Sequence, residues 1–252
     1  MRIIGRLDIK GPNLIKAINL EGLRVVGNPN EFAVDYYKNG ADELIFMDIV
    51  ASLYNRNSLH DIIKLASKNI FIPFTVGGGI RSLDDALKIF DSGADKIAIN
   101  TRAVQEPELI NILSKRFGSQ AIVLSIEAKK ISENKWEAYI ESGREKTNLD
   151  VLDWAKKGTD LGAGEILLTS VDKEGTCKGF DTDLIYSVSN SVNIPIIASG
   201  GFGDKKDLKA AEDAGADAIA IAHMLHYKKL SIDDVRKYAI DNDVKVRKFN
   251  QW

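Results

Sequence analysis

The chain has 252 residues, 44% of them hydrophobic and 28% charged, which excludes a disordered segment, a disulfide-stapled miniature domain and a coiled coil. Its 34 basic and 36 acidic residues nearly cancel, so overall charge points to neither a nucleic-acid nor an anionic-membrane partner. The single cysteine, Cys177, suits a reducing, cytoplasmic setting, the opening MRIIGRLDIKGP lacks an apolar signal core, and no run approaches the roughly 18 apolar residues of a membrane span.

Short apolar runs at 2–8, 43–48, 72–76, 95–99, 121–127, 165–169, 194–198 and 217–221 read as eight strands. They alternate with amphipathic stretches, such as Ser82 to Ser92 and Asp204 to Ala214, that read as helices. An open doubly wound sheet gives the same alternation, so a second signal is needed. An internal repeat supplies it: IPFTVGGGIRSLDDALKIFDSGADKIAI (72–99) aligns without a gap on IPIIASGGFGDKKDLKAAEDAGADAIAI (194–221), at an offset of 122. The same offset lays GADELIFMDI (40–49) on GAGEILLTSV (162–171). Two similar halves of four strand–helix units close into a symmetric barrel, whereas an open sheet gives no reason for the duplication. The expected fold is therefore α/β, a single (βα)8 TIM barrel domain over 1–252 with a twofold half-barrel repeat.

Barrel sites form on the loops that follow the strands. Two such loops are glycine-rich and lie at matching places, Gly77-Gly78-Gly79 after the third strand and Ser199-Gly200-Gly201 after the seventh. Glycine lets backbone N–H groups approach and face an anion, and one unit later each half offers a helix start, Asn100-Thr101 and Ala222-His223. A lone glycine run is as readily a tight turn. Two of them half a barrel apart suggest a long substrate with a phosphate at each end. Between them Asp8 ends the first strand and Glu127 the fifth, the matching place in the second half. Two carboxyls across a barrel mouth suit general acid–base chemistry, one holding a proton while the other accepts one. Asp48 ends the second strand nearby, where helix capping or a bond to Lys10, Lys16 or Lys129 is an equally ordinary role.

The opposite end carries Arg2, Glu43, Lys96 and Glu165 at the starts of the first, second, fourth and sixth strands. Four alternating charges there read either as a stabilising plug or as a gate to the interior. Strand alternation puts Arg2, Ile4, Arg6 and Asp8 on one side. His60, His223 and His226 are too scattered for a metal triad, Trp136, Trp154 and Trp252 read as packing residues, and Cys177 has no base at a diagnostic spacing.

Across nearly the whole chain these residues resemble the cyclase subunit of imidazole glycerol phosphate synthase. The stretches that carry the resemblance are FTVGGGI (74–80), GADKIAINT (93–101), FGSQAIVLSIEAK (117–129), GAGEILLTSVDKEGT (162–176) and IPIIASGGFG (194–203). The resemblance implies an ammonia-dependent lyase that takes ammonia from a class I glutamine amidotransferase, a glutaminase docked at the barrel floor as a heterodimer. That ammonia enters a bis-phosphorylated ribulosyl aminoimidazole carboxamide nucleotide, which is cleaved and cyclised, with no metal or other cofactor. By the same resemblance Asp8 and Glu127 are the catalytic pair. Gly79, Asn100 and Thr101 form one phosphate site, and Glu174, Gly175, Gly200, Gly201, Ala222 and His223 the other. Lys16, Asp48, Thr169 and Ser199 lie near the substrate, and Arg2, Glu43, Lys96 and Glu165 make an ammonia gate.

The chain departs from that family pattern at four places. Glu127 is one methylene longer than the expected aspartate, a change of about 1 Å in carboxylate position. Glu174 and His223 replace an aspartate and a serine, and the loop KGPNLIKAINL lacks the usual acidic-glycine start. Arg6 stands where the family has a small residue. It is expected to point into the barrel and pair with Glu127 or Asp48, depressing that carboxyl's pKa. Two other readings stay open. One is a divergent paralogue acting as an ammonia conduit beside a glutaminase and a separate enzyme of surface-polysaccharide sugar amidation. The other is the pathway's sister isomerase, which needs no glutaminase.

Overall fold

Runs such as ILL (166–168) and AIAI (218–221), apolar at every position, need burial on both faces, and a parallel barrel wrapped in helices provides it. The computed structural model describes residues 1–18, 20–51 and 59–249. Its strands are β1 (Arg2–Lys10), β2 (Asn13–Ile18), β3 (Glu21–Gly27), β4 (Glu43–Asp48), β5 (Phe74–Gly77), β6 (Lys96–Ile99), β7 (Ile122–Ser132), β8 (Lys135–Ile140), β9 (Glu145–Asp150), β10 (Glu165–Ser170), β11 (Ile196–Ser199) and β12 (Ala218–Ile221). Eight of these pair in parallel in the order β1, β4, β5, β6, β7, β10, β11, β12, and β12 returns to β1 through Arg2 to Gly5, closing the barrel. The expected (βα)8 fold is the one observed.

The described helices are α1 (Pro29–Lys38), α2 (His60–Asn69), α3 (Leu83–Asp91), α4 (Thr101–Gln105), α5 (Glu108–Phe117), α6 (Val151–Asp160), α7 (Thr182–Ser189), α8 (Lys206–Asp213), α9 (His223–His226) and α10 (Ile232–Asp241). Helix α3 falls where the pattern predicted, with the Ser82 hydroxyl capping the Asp85 N–H at 3.2 Å. Among the described residues no helix is long and apolar enough to cross a membrane.

The expected strands at 72–76 and 194–198 begin two residues late because Pro73 and Pro195, which have no N–H to donate, stand just ahead of them. The larger departure is at the mouth. KGPNLIKAINL is expected as a loop, but β2 and β3 form an antiparallel hairpin on the end of β1, with Asp8 opposite Ile15. The second half repeats the device, with β8 and β9 built on the extended end of β7 and Glu127 opposite Tyr139. Both hairpins therefore rise from the strands that carry the two candidate acids.

Two cores result. Ile4, Ile45, Ala98, Val123, Leu167, Ile197, Ala218 and Ala220 fill the barrel interior, while a larger cluster, including Trp136 and Trp154, lies between sheet and helices. Trp252 lies outside the described residues.

Candidate functional site

At the floor, Arg2 Nη1 donates to Glu43 Oε1 at 2.6 Å and its Nη2 donates to Glu165. Lys96 Nζ donates to Glu43 Oε2 at 3.1 Å and to Glu165 Oε2 at 2.9 Å, so the four side chains form one closed ring of alternating charge. The repeat explains its composition. Glu43 and Glu165 are mates across the half-barrels, and the mate of Lys96 is Ala218. Ala218 pairs in register with Arg2, and its small side chain leaves the fourth corner to the Arg2 guanidinium. All four predicted floor residues are thus brought together, and the ring closes that end of the interior.

At the mouth, Glu127 shares a cavity of about 300 Å³ with Asp48, Gly79, Asn100 and Thr101. Its Oε2 accepts from Asn100 Nδ2 at 3.0 Å and from the Gly143 N–H at 2.8 Å. Asn100 is itself fixed by donating to the Tyr139 carbonyl at 3.1 Å, and Thr101 Oγ1 accepts from the Glu141 N–H at 3.1 Å. Burial pushes the Glu127 carboxyl up to about 7, the Gly143 bond and the Arg6 charge only partly opposing it. Gly78 takes φ +97, and a Cβ there would stand 2.1 Å from the Asp48 carbonyl, so only glycine fits this turn. Asp48 Oδ1 accepts from the Val50 N–H at 3.0 Å, the local capping role its position allowed.

Asp8 is placed differently, 2% exposed and away from the wall of that cavity. Arg6 is inward-facing and 3% exposed, as expected, but its partner is Asp8 rather than Glu127 or Asp48. Its Nε donates to Asp8 Oδ1 at 2.9 Å, and its Nη1 donates to Thr169 Oγ1 at 3.0 Å and Ser199 Oγ at 2.9 Å. The reason is geometric: residues two apart on a strand project from the same face, so Arg6 and Asp8 are immediate neighbours. Lys16 lies 3.9 Å from Asp8 Oδ2 and bonds to Glu174. Burial alone would raise the Asp8 carboxyl, but Arg6 and Lys16 outweigh it and hold Asp8 below the usual carboxylate range. The expected depression therefore falls on Asp8, and Glu127 moves the other way. The rise at Glu127 is chiefly burial, with the nearby Asp8 charge adding to it.

The second glycine loop lies beside this network. Glu174, Gly175, Ser199, Gly200, Gly201, Ala222 and His223 surround a void of about 10 Å³, the size of one water, with Arg6 in its wall. His223 also borders a cavity of about 540 Å³ rimmed by Lys16, Arg24 and Lys229. Lys229 Nζ lies 3.3 Å from His223 Nε2, and burial together with Lys229 and Lys16 lowers the imidazole's pKa. His226 lies behind, its Nδ1 2.6 Å from the Tyr36 hydroxyl, and burial pushes it down to about 3. Sequence reasoning missed Gly143, whose role is a backbone contact without a side-chain signature. It also missed Arg24 and Lys229; Arg24 reaches the cavity on β3, which is not among the eight expected strands.

Residues 2–231 match the model of the family described as histidine biosynthesis protein. The chain belongs to this family. Among its relatives, the Legionella pneumophila protein named imidazole glycerol phosphate synthase subunit HisF is 62% identical over 203 residues, covering 81% of this chain and 96% of that protein. Proteins of the same name from Hydrogenobaculum and Prochlorococcus marinus are 48% and 46% identical, each alignment covering 98% of both chains. The family match runs through both halves of the barrel and both glycine loops.

Proposed function

We propose that this chain is the cyclase subunit of imidazole glycerol phosphate synthase, an ammonia-dependent lyase of the cytoplasm paired one-to-one with a class I glutaminase. Its substrate is then a bis-phosphorylated ribulosyl aminoimidazole carboxamide nucleotide, and its products imidazole glycerol phosphate and aminoimidazole carboxamide ribotide. The observation that carries the reading is the contrast between the two acids at the ends of β1 and β7. Asp8 is held ionised by Arg6 and Lys16, and Glu127 is pushed up to about 7. Environments that drive two carboxyls apart in this way assign a base and an acid.

Addition of ammonia to a carbonyl carbon requires a proton for the oxygen that becomes a leaving group and removal of one from the nitrogen. Glu127, protonated in a good fraction of molecules at neutral pH, supplies the first, and Asp8 accepts the second. Gly79, Asn100 and Thr101 take one terminal phosphate, and Gly175, Gly200, Gly201, Ala222 and His223 the other, with Lys16, Asp48, Thr169, Ser199 and Glu174 around the body of the substrate. The ring of Arg2, Glu43, Lys96 and Glu165 is the floor gate on which the glutaminase docks. No metal or redox cofactor enters this chemistry.

The test is an assay with the bis-phosphate nucleotide and ammonium salt at alkaline pH, where free ammonia replaces the partner. Formation of imidazole glycerol phosphate, abolished by Asp8→Asn, is the expected result. Failure to bind or turn over the nucleotide by folded protein would overturn the reading and leave the ammonia-conduit role.

A further inference from the structure

An arginine that pins a general base poses a problem, since a carboxylate tied to a guanidinium accepts protons poorly. Arg6 also crosses the barrel interior, bridging Asp8 on β1 to Thr169 on β10 and Ser199 on β11. It therefore stands between the floor ring and the mouth. The same guanidinium lines the small pocket beside Gly175, Gly200 and Gly201, whose roughly 10 Å³ has room for about one water. The charged groups bordering that void are Arg6 and Glu174, and of the two Arg6 is the one an anion on this glycine loop attracts. We propose that a phosphate seated on the second glycine loop takes the Arg6 guanidinium from Asp8, so that substrate binding frees the base and clears the barrel axis. The inference rests on the reading of Gly175, Gly200 and Gly201 as a phosphate site.

Four features favour the exchange. A guanidinium matches phosphate geometry bidentately, and a dianion attracts it more strongly than a single carboxylate. The hydroxyls of Thr169 and Ser199 both donate and accept, so they follow the guanidinium or turn to the phosphate without being left unpaired. Asp8 is not stranded, because Lys16 already lies 3.9 Å from its second oxygen. Glu174, which borders the same void, stays paired with Lys16, whose charge offsets its repulsion of the incoming anion.

The experiment uses the full chain labelled with nitrogen-15 and titrated with inorganic phosphate. The Gly79 and Gly201 amides report the two glycine loops, and the Arg6 Nε–H, buried and bonded to Asp8, gives its own side-chain signal. The expected result is that Arg6 Nε–H shifts with the midpoint of Gly201 and not with that of Gly79. A Gly201 titration with Arg6 unmoved overturns the exchange, as does a Gly201 amide that stays silent while Gly79 saturates. Arg6→Met should weaken phosphate at Gly201 by about tenfold or more while leaving Gly79 unchanged, and Arg6→Lys should fall between. Unaltered affinity at Gly201 in either variant overturns the proposal; if Arg6→Met does not fold, Arg6→Lys carries the comparison. The cyclase reading is decided separately by the ammonium assay, so failure of one is distinguishable from failure of the other.

Discussion

Gly143, in the turn between β8 and β9, donates its backbone N–H to Glu127 Oε2 at 2.8 Å. The second hairpin thereby reaches over the mouth and holds the carboxyl from above while Asn100 holds it from the side. These two bonds fit the longer glutamate side chain. Glu127→Asp withdraws the carboxyl by one methylene from both donors, and Glu127→Gln keeps the shape but removes the titrating proton. We expect Glu127→Gln to lower ammonium-driven turnover by about 10²- to 10⁴-fold with little change in KM for the nucleotide. Steady-state kinetics with saturating ammonium salt checks it.

The pH dependence follows from the same residue. Glu127 loses its proton as pH rises through about 7, so turnover per free ammonia should fall above that pH and be flat there in Glu127→Gln. Stability has the same sign. From the ordinary glutamate value of 4.5 up to about 7, the folded state holds a proton that the unfolded chain has lost, so stability falls as pH rises across that window. The loss is at most about 3 kcal/mol. Urea denaturation at pH 5 and pH 8 should show a smaller difference for Glu127→Gln than for the parent.

The floor ring gives a prediction independent of the mouth. Lys96→Met leaves Glu43 and Glu165 sharing only Arg2, and the uncompensated, mostly buried carboxylate should cost about 2–3 kcal/mol. Adding Glu165→Gln restores the charge count and should recover part of that loss. Denaturation midpoints of the single and double variants measure both. On the proposed gate role, the same variants in complex with the glutaminase should change glutamine-driven turnover more than ammonium-driven turnover.

What the sequence made legible follows from how each feature is encoded. The barrel strands are short apolar runs and their duplication is visible as a repeat, so the closed fold was readable from Ile72 to Ile99 laid on Ile194 to Ile221. The hairpins were not, because EKTNLD on β9 is polar and largely exposed, and NLIKAI on β2 lies among turn residues. The floor ring and both glycine loops were named residue by residue, since charge and glycine at strand ends are unusual enough to stand out. The partner of Arg6 was misassigned although alternation had already placed Arg6 and Asp8 on one face. The two-residue strand spacing makes Asp8 the nearer neighbour, whereas Glu127 lies on β7, across the barrel.

Glycine substitutions separate turns that merely bend from turns that build the site. Gly11, between β1 and β2, takes φ +58 with nothing within 4 Å of an added Cβ, so Gly11→Ala should cost only the left-handed backbone penalty of about 1 kcal/mol. At Gly78 an added Cβ would lie 2.1 Å from the Asp48 carbonyl oxygen, in backbone at φ +97. The opposing atom belongs to the main chain at the end of β4 and cannot swing aside as a side chain would. Gly78→Ala should therefore cost more than about 3 kcal/mol or push the loop off Asp48. In either case the proposed first phosphate site is lost. The check pairs urea denaturation with inorganic phosphate binding at Gly79. Gly11→Ala should keep the parent's phosphate affinity, and Gly78→Ala should lose it even where the protein remains folded.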